Sequence, residues 1–208
     1  MDQLSDTIKT RRSIRKFLPD TIPDEEIREI IEAGTHAPSG CNSQCWHFVA
    51  IKDKTVLEAV TLATENGVRE FYKNAEPAFI ESRIKQTTFF KNAPLVIFVY
   101  MTHMDYHDSR VTKYYEEQRF SHEEMMDALG APDILSIGAA IQNMLLTIHQ
   151  KGLGACWMND PIISRADISR TLDVPESWRL MSVIPVGKPA FVPQTKKMKD
   201  IEDVLDIR

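Results

Sequence analysis

The alternation of apolar and polar positions along the 208-residue chain predicts a mixture of helices and strands. Leu4 and Ile8 stand four apart in a short helix that runs into Arg11–Arg12–Ser13. Asp24–Gly34 places Ile27, Ile30 and Ile31 on one helical face and opens on three carboxylates, which suit the positive end of the helix dipole. Gly34 is expected to end it in a left-handed turn. A loop at His36–Trp46, rich in Pro, Ser, Gly, Asn and Cys, leads to a β-rich run at His47–Ile51. Val56–Ala63 predicts another helix, ending near Gly67. Pro94–Tyr100 (PLVIFVY) is a continuous β-branched and aromatic run, the pattern of a strand buried on both faces.

Ile134, Ile137, Ile141, Met144, Leu145 and Ile148 sustain a helical period, and Ala139 and Ala140 fill other faces, so this helix is expected to be the buried spine. Strands are expected at Gly152–Met158 and Met181–Val186, with a helix around Ile162–Leu172 between them. After Gly187 the pattern stops, and residues 188–208 read as an extended arm. The elements sum to a single α+β domain over residues 1–208, a sheet sandwiched by helices. Residues 103–133 stand apart. They are heavily charged yet carry Tyr106, Tyr114, Tyr115 and Phe120, which fits a solvated helical insertion or a lid over a site.

Composition narrows the partners. Hydrophobic residues make up 43% and charged residues 26%, as in ordinary globular domains. Thirty acidic against 25 basic residues leave a net charge of −5, the wrong sign for a protein that grips a phosphate backbone. The longest apolar run, Ala93–Met101, is far below the ~20 residues that cross a bilayer, and MDQLSDTIKTRRS lacks the apolar stretch of a secretory signal. Three cysteines are too few for a disulfide scaffold and suit a reducing compartment. The expectation is a cytoplasmic protein with neither membrane nor nucleic acid as partner.

Several chemistries can be weighed on spacing. His103 and His107, with Asp105, Asp108 and His122 nearby, have the i, i+4 spacing of metal ligands but no HExxH glutamate, and no metal is expected. Cys41 and Cys45 lack the second CxxC pair of a zinc ribbon. Cys41, Cys45 and His47 invite a Cys–His hydrolase reading, yet dyads are assembled in space, so adjacency counts for little. Gly152–Leu153–Gly154 is not continued as GxGxxG and follows a long helix, which excludes a Rossmann phosphate loop. Arg11–Arg12–Ser13–Ile14–Arg15 fits either a basic helix end or an anion site, since guanidinium forks match phosphate oxygens. Pro38–Trp46 adds amides, hydroxyls and an indole suited to the edge of a flat heterocycle, or to an ordinary turn.

Together these segments resemble the nitroreductase family of flavin mononucleotide (FMN) enzymes. Residues 11–17 (RRSIRKF) resemble its RRSxRxF opening, and residues 37–48 (APSGCNSQCWHF) its APSxxNxQPWxF loop. Ile137–Asn143, Gly152–Trp157 and Pro185–Gly187 resemble the central helix, the strand leaving it and the last core strand. The resemblance implies a mostly antiparallel sheet flanked by helices, with FMN at the interface of a homodimer. Arg11, Ser13 and Arg15 would meet phosphate, ribityl chain and ring edge, with Arg12 nearby. Pro38, Ser39, Asn42 and Gln44 would approach the flavin of the opposite subunit, and Trp157, Met158 and Asn159 would line the ring near N5.

A tail lysine, Lys196, Lys197 or Lys199, would close on the phosphate, and Gln86 is the nearest candidate for the pyrimidine edge. Cys45 departs from the family's proline, so the loop loses a fixed φ. The activity implied is ping-pong hydride transfer from NADH or NADPH through flavin N5 to an electron-poor acceptor such as a nitroaromatic or quinone. The cofactor carries that chemistry, and no catalytic acid or base is assigned. The rival is a flavin-binding, sensing or flavin-degrading relative without such turnover.

Overall fold

The computed structural model describes residues 3–104, 109–195 and 197–208. Four strands, β1 (Trp46–Ile51), β2 (Leu95–Met101), β3 (Gly154–Ala155) and β4 (Arg179–Gly187), form one sheet in the order β1-β2-β4-β3, and every pairing between them is antiparallel. The helices among the described residues are α1 (Gln3–Thr10), α2 (Asp24–Thr35), α3 (Lys54–Phe71), α4 (Pro77–Thr87), α5 (Ser109–Glu117), α6 (His122–Ala128), α7 (Pro132–Gln150) and α8 (Arg165–Thr171).

The apolar run of β2 divides its side chains between two cores, because successive residues point to opposite faces. Leu95, Ile97 and Val99 pack with Ile30 of α2 and with Ile137, Ile141, Met144 and Ile148 of α7. Val96, Phe98 and Tyr100 pack on the other face with Leu57 and Val60 of α3 and Ile168 of α8. Burying such side chains stabilises the fold by about 1.5–3 kcal/mol each. The sheet is therefore covered on both faces, as the unbroken pattern of Leu95–Tyr100 required, and the architecture is α+β.

Several boundaries differ from the sequence reading. α2 runs past Gly34, whose backbone is not left-handed; a Cβ there would come within 2.9 Å of Met144, so the glycine serves the α2–α7 contact. α3 likewise continues through Gly67, where a Cβ would meet Ser164 Oγ at 2.0 Å. The strand expected over Gly152–Met158 is confined to Gly154–Ala155, with one further bridge between Met158 and Val183. α4 has no counterpart in the sequence pattern, since it buries only Ile84 and Thr87.

Residues 109–128 form α5 and α6, the latter opened by a Ser121–Glu124 capping box. Met125 and Met126 cover Cys45 and Met104 in a third, small core. Tyr106, His107 and the aspartates beside them lie outside the described residues, as does Lys196. After β4 the arm touches the body through a Phe17–Pro189 bridge and a hydrogen bond from the Ala190 amide to the Lys16 carbonyl. Its apolar side chains, Ile207 most of all at 85%, are exposed. Among the described residues no single helix is long and apolar enough to cross a membrane.

Candidate functional site

The segment after α1 is fastened to the edge of the sheet. The Ile14 amide donates to the Ala155 carbonyl at 2.8 Å, and Ser13 bridges Ala155 in parallel. This close approach depends on Gly154, because a Cβ there would fall 2.4 Å from Ile14. The arginines on either side of Ile14 are thereby held on a rigid rim.

Arg11 and Arg15 form no salt bridge among the described residues, so their charge is uncompensated at half-buried Arg11 and exposed Arg15. Arg12 is used differently. Its guanidinium donates to the carbonyls of Lys9 and Arg11 at 2.8 and 2.7 Å and to Thr195 Oγ1 at 2.6 Å, tying the arm to the cluster. Lys197 follows two residues later and Lys199 four. Beside the arginines, His149 Nε2 lies 2.8 Å from Thr10 Oγ1, and the two guanidiniums Arg11 and Arg12 line a narrow slit with it. Burial, then the charges of Arg11 and Arg12, hold the imidazole below its ordinary pKa.

A second group gathers beyond β3. Arg15, Phe89, Cys156, Trp157, Met158, Asn159 and Asp160 line a cavity of about 400 Å³. Trp157 is partly exposed, its indole N–H donating to Asn159 Oδ1 at 2.8 Å, and its ring tip lies next to Gly138 of α7. Burial pushes the Cys156 thiol up, so it stays protonated near neutrality. Arg83 stands behind this cavity: it pairs with Asp160 at 3.1 Å, donates to Gln86 Oε1 at 2.8 Å and leaves its Nε buried without a partner. Gln86 is thus reached through Arg83. Arg83, Asp160 and His149 had no signal in the sequence, because α4 has a weak pattern and α7 reads as core.

The loop Pro38–Gln44 is built at the start of α7. The Gly40 amide donates to Ser136 Oγ and the Gln44 amide to Ser39 Oγ, both at 3.0 Å. Cys41, Asn42 and Gln44 all have positive φ, a conformation costing about 1–3 kcal/mol each and kept only where the surroundings impose it. Cys45 helps to impose it: its fully buried thiol sits among Met104, Met125 and Met126, where burial raises its pKa, and its carbonyl accepts from the Thr102 amide. A buried side chain thus anchors the loop where the family has a proline.

Helical geometry relates these pieces. Gly138 and His149 are eleven residues apart, which puts them within about 20° on one face and about 16 Å apart along α7. The indole and the Arg11–His149 group therefore lie along one face of α7. Ser136, which holds the loop, is turned about 200° from Gly138. Arg11, Ser13, Arg15, Trp157, Met158 and Asn159 are brought together by one chain, whereas Pro38, Ser39, Asn42 and Gln44 lie on the far side of the helix.

The model of the Nitroreductase family matches residues 8–188. The chain belongs to the nitroreductase family. A protein of Methanothermobacter thermautotrophicus, named provisionally as an NADH dehydrogenase/NAD(P)H nitroreductase, is 28% identical over 96% of this chain and 84% of its own. The crystal structure of a BluB-like flavoprotein from Clostridium difficile matches over the whole of both chains with a TM-score of 0.84 and 26% identity. A nitroreductase structure in complex with FMN from Desulfovibrio desulfuricans superposes with a TM-score of 0.72 at 24% identity, covering 100% of this chain and 98% of its own. The nitroreductase family is a family of oxidoreductases, and its fold is the one described above.

Proposed function

We propose that this protein is an FMN-dependent NAD(P)H oxidoreductase that works as a cytoplasmic homodimer on electron-poor small molecules such as nitroaromatics or quinones. One arrangement carries the reading: uncompensated Arg11 beside the slit at His149 and, further along the same face of α7, the cavity of Arg15, Trp157, Met158 and Asn159. An elongated ligand with an anionic end and a flat ring fits that distribution of charge and shape. Arg11, Ser13 and Lys196 or Lys197 would take the phosphate, and Arg12 would hold the arm that brings the lysines. Arg15 and Asn159 would meet the ring edge, with Met158 and Trp157 beside it. The dinucleotide loop that FAD would need is absent from the sequence, so one phosphate is expected.

FMN, when bound, supplies two-electron chemistry and hydride exchange. The chain's part is orientation and electrostatics. Arg15 sets a cation beside the cavity, where it would favour negative charge on the ring, while Arg83 neutralises the Asp160 carboxylate that also lines it. One cavity open on the flavin's face would serve donor and acceptor in turn, the condition for ping-pong exchange.

The second subunit is supported by surface left apolar. Leu135, Ala139 and Leu146 form a stripe on α7, and the arm shows Phe191, Met198 and Ile207 to solvent. A two-fold partner would cover both and bring its own loop, Pro38–Gln44, to the cavity beside Trp157. The three free thiols suit a reducing cytoplasm. Two measurements test the proposal: chromatography of the heat-released cofactor, expected to give FMN, and anaerobic addition of NADH or NADPH, expected to bleach the flavin rapidly. Recovery of FAD or no flavin contradicts the cofactor; a bound flavin that neither nucleotide bleaches favours the rival binding or flavin-degrading role.

A further inference from the structure

His149 is not part of any motif that marks the family in this chain, yet it stands against the arginine cluster. Its hydrogen bond fixes its tautomer. Thr10 Oγ1 gives its only proton to the Asp6 carbonyl at 2.6 Å, so toward His149 it can only accept, and His149 Nε2 must carry the hydrogen. Nδ1 is left as the basic nitrogen. The ring sits in the last turn of α7, where the helix dipole favours a cation.

The charges that act on it are those of Arg11 and Arg12, from the segment after α1. Lys151, two residues further on, is paired with Glu29 of α2. Burial is the larger influence, and the charges of Arg11 and Arg12 add to it, so that together they hold the imidazole below its ordinary pKa. An anion seated on Arg11, with Arg12 alongside, works in the opposite direction to those two charges. A phosphate dianion would cancel their field, and the dipole would then favour the imidazolium.

We propose that His149 is a proton-coupled partner of the FMN phosphate: phosphate binding beside Arg11 and Arg12 draws one proton from solvent onto Nδ1, and the imidazolium helps to hold the anion. The proposal rests on the FMN reading above and adds a residue and a pH dependence to it. It makes His149 a positioning group for the cofactor, with no part in hydride transfer. Riboflavin, which lacks the phosphate, should not elicit the protonation.

The test is nuclear magnetic resonance titration of the His149 imidazole in the FMN-loaded protein and in the same protein with riboflavin exchanged for FMN. The resonance is assigned by its loss in His149→Gln. The His149 midpoint should lie above the ordinary histidine value of about 6.5 with FMN and below it with riboflavin. A midpoint one pH unit higher with FMN corresponds to a limiting tenfold gain in affinity below both midpoints, of which about fivefold falls between pH 8 and pH 6 when the midpoints lie on either side of 6.5. That gain, measured as the FMN-to-riboflavin affinity ratio between pH 8 and pH 6, should be lost in His149→Gln. The phosphate's own second ionisation near pH 6 works against it equally in both proteins and cancels in the comparison. Equal midpoints with the two flavins overturn the proposal while leaving FMN binding intact. Failure to retain either flavin overturns the FMN reading and this inference together.

Discussion

The two halves of the site are held by opposite means. The arginine rim is ordinary extended backbone, hydrogen-bonded to the β3 edge, and its precision comes from the missing side chain at Gly154. The loop Pro38–Gln44 has three non-glycine residues in the left-handed region, and its precision comes from buried neighbours that outweigh the strain. The rim needs no help to display its charges. The loop displays exposed Asn42 and Gln44 on the far side of α7 from those charges. The contrast shows that a strained loop persists where buried neighbours on the same chain outweigh its cost, while its polar side chains stay free to face outward.

The largest effect should come from removing the arm that Arg12 holds. Deletion of residues 191–208 takes away the Arg12–Thr195 contact, the tail lysines and the exposed arm. FMN affinity should fall by at least about a hundredfold, since each lost charge-assisted contact is worth about 1.5–3 kcal/mol. Dimerisation should weaken with it, as sedimentation equilibrium would show. Unchanged mass and affinity would detach the arm from the site.

Next in size is Arg11→Ala. Loss of one phosphate contact should weaken FMN binding about 10- to 100-fold, read by flavin fluorescence, with little change in the melting temperature of the apoprotein. An unaltered dissociation constant would reduce the cluster to a solvated helix end. Gly154→Ala sharpens the same half from beneath: its Cβ would collide with Ile14, costing about 1–3 kcal/mol in urea unfolding and loosening FMN as the rim shifts. Wild-type stability in that variant would mean that the rim yields easily.

How much of this was legible in the chain depends on whether the pattern was local. Both faces of β2 and the length of α7 could be read because every residue of Leu95–Tyr100 and the period of Ile134–Ile148 carry the signal themselves. The arginines and the loop were legible as motifs. Gly34 and Gly67 misled, because a glycine needed for a tight helix–helix contact looks in sequence like a helix end. Arg83 and His149 were invisible for another reason: each gains its meaning from partners far along the chain, Asp160 for one and Thr10 for the other.

The smallest effect concerns the α5–α6 segment, which packs on the loop's Cys45 and carries exposed aromatics. If it serves as a lid, Tyr114→Ala, Tyr115→Ala or Phe120→Ala should change KM for nitroaromatics several-fold while FMN affinity stays within about twofold, because stacking on one ring is worth about 0.5–1.5 kcal/mol. Parent-like KM values on several acceptors in all three variants would leave the segment a plain insertion.

The central claim is that one chain's arginine rim and another chain's loop share a flavin. Light scattering of the purified protein, with protein and flavin quantified across the same peak, addresses it directly. A mass of twice 23.8 kDa carrying two FMN is expected; a monomer that retains one tightly bound, reducible FMN would contradict a shared site.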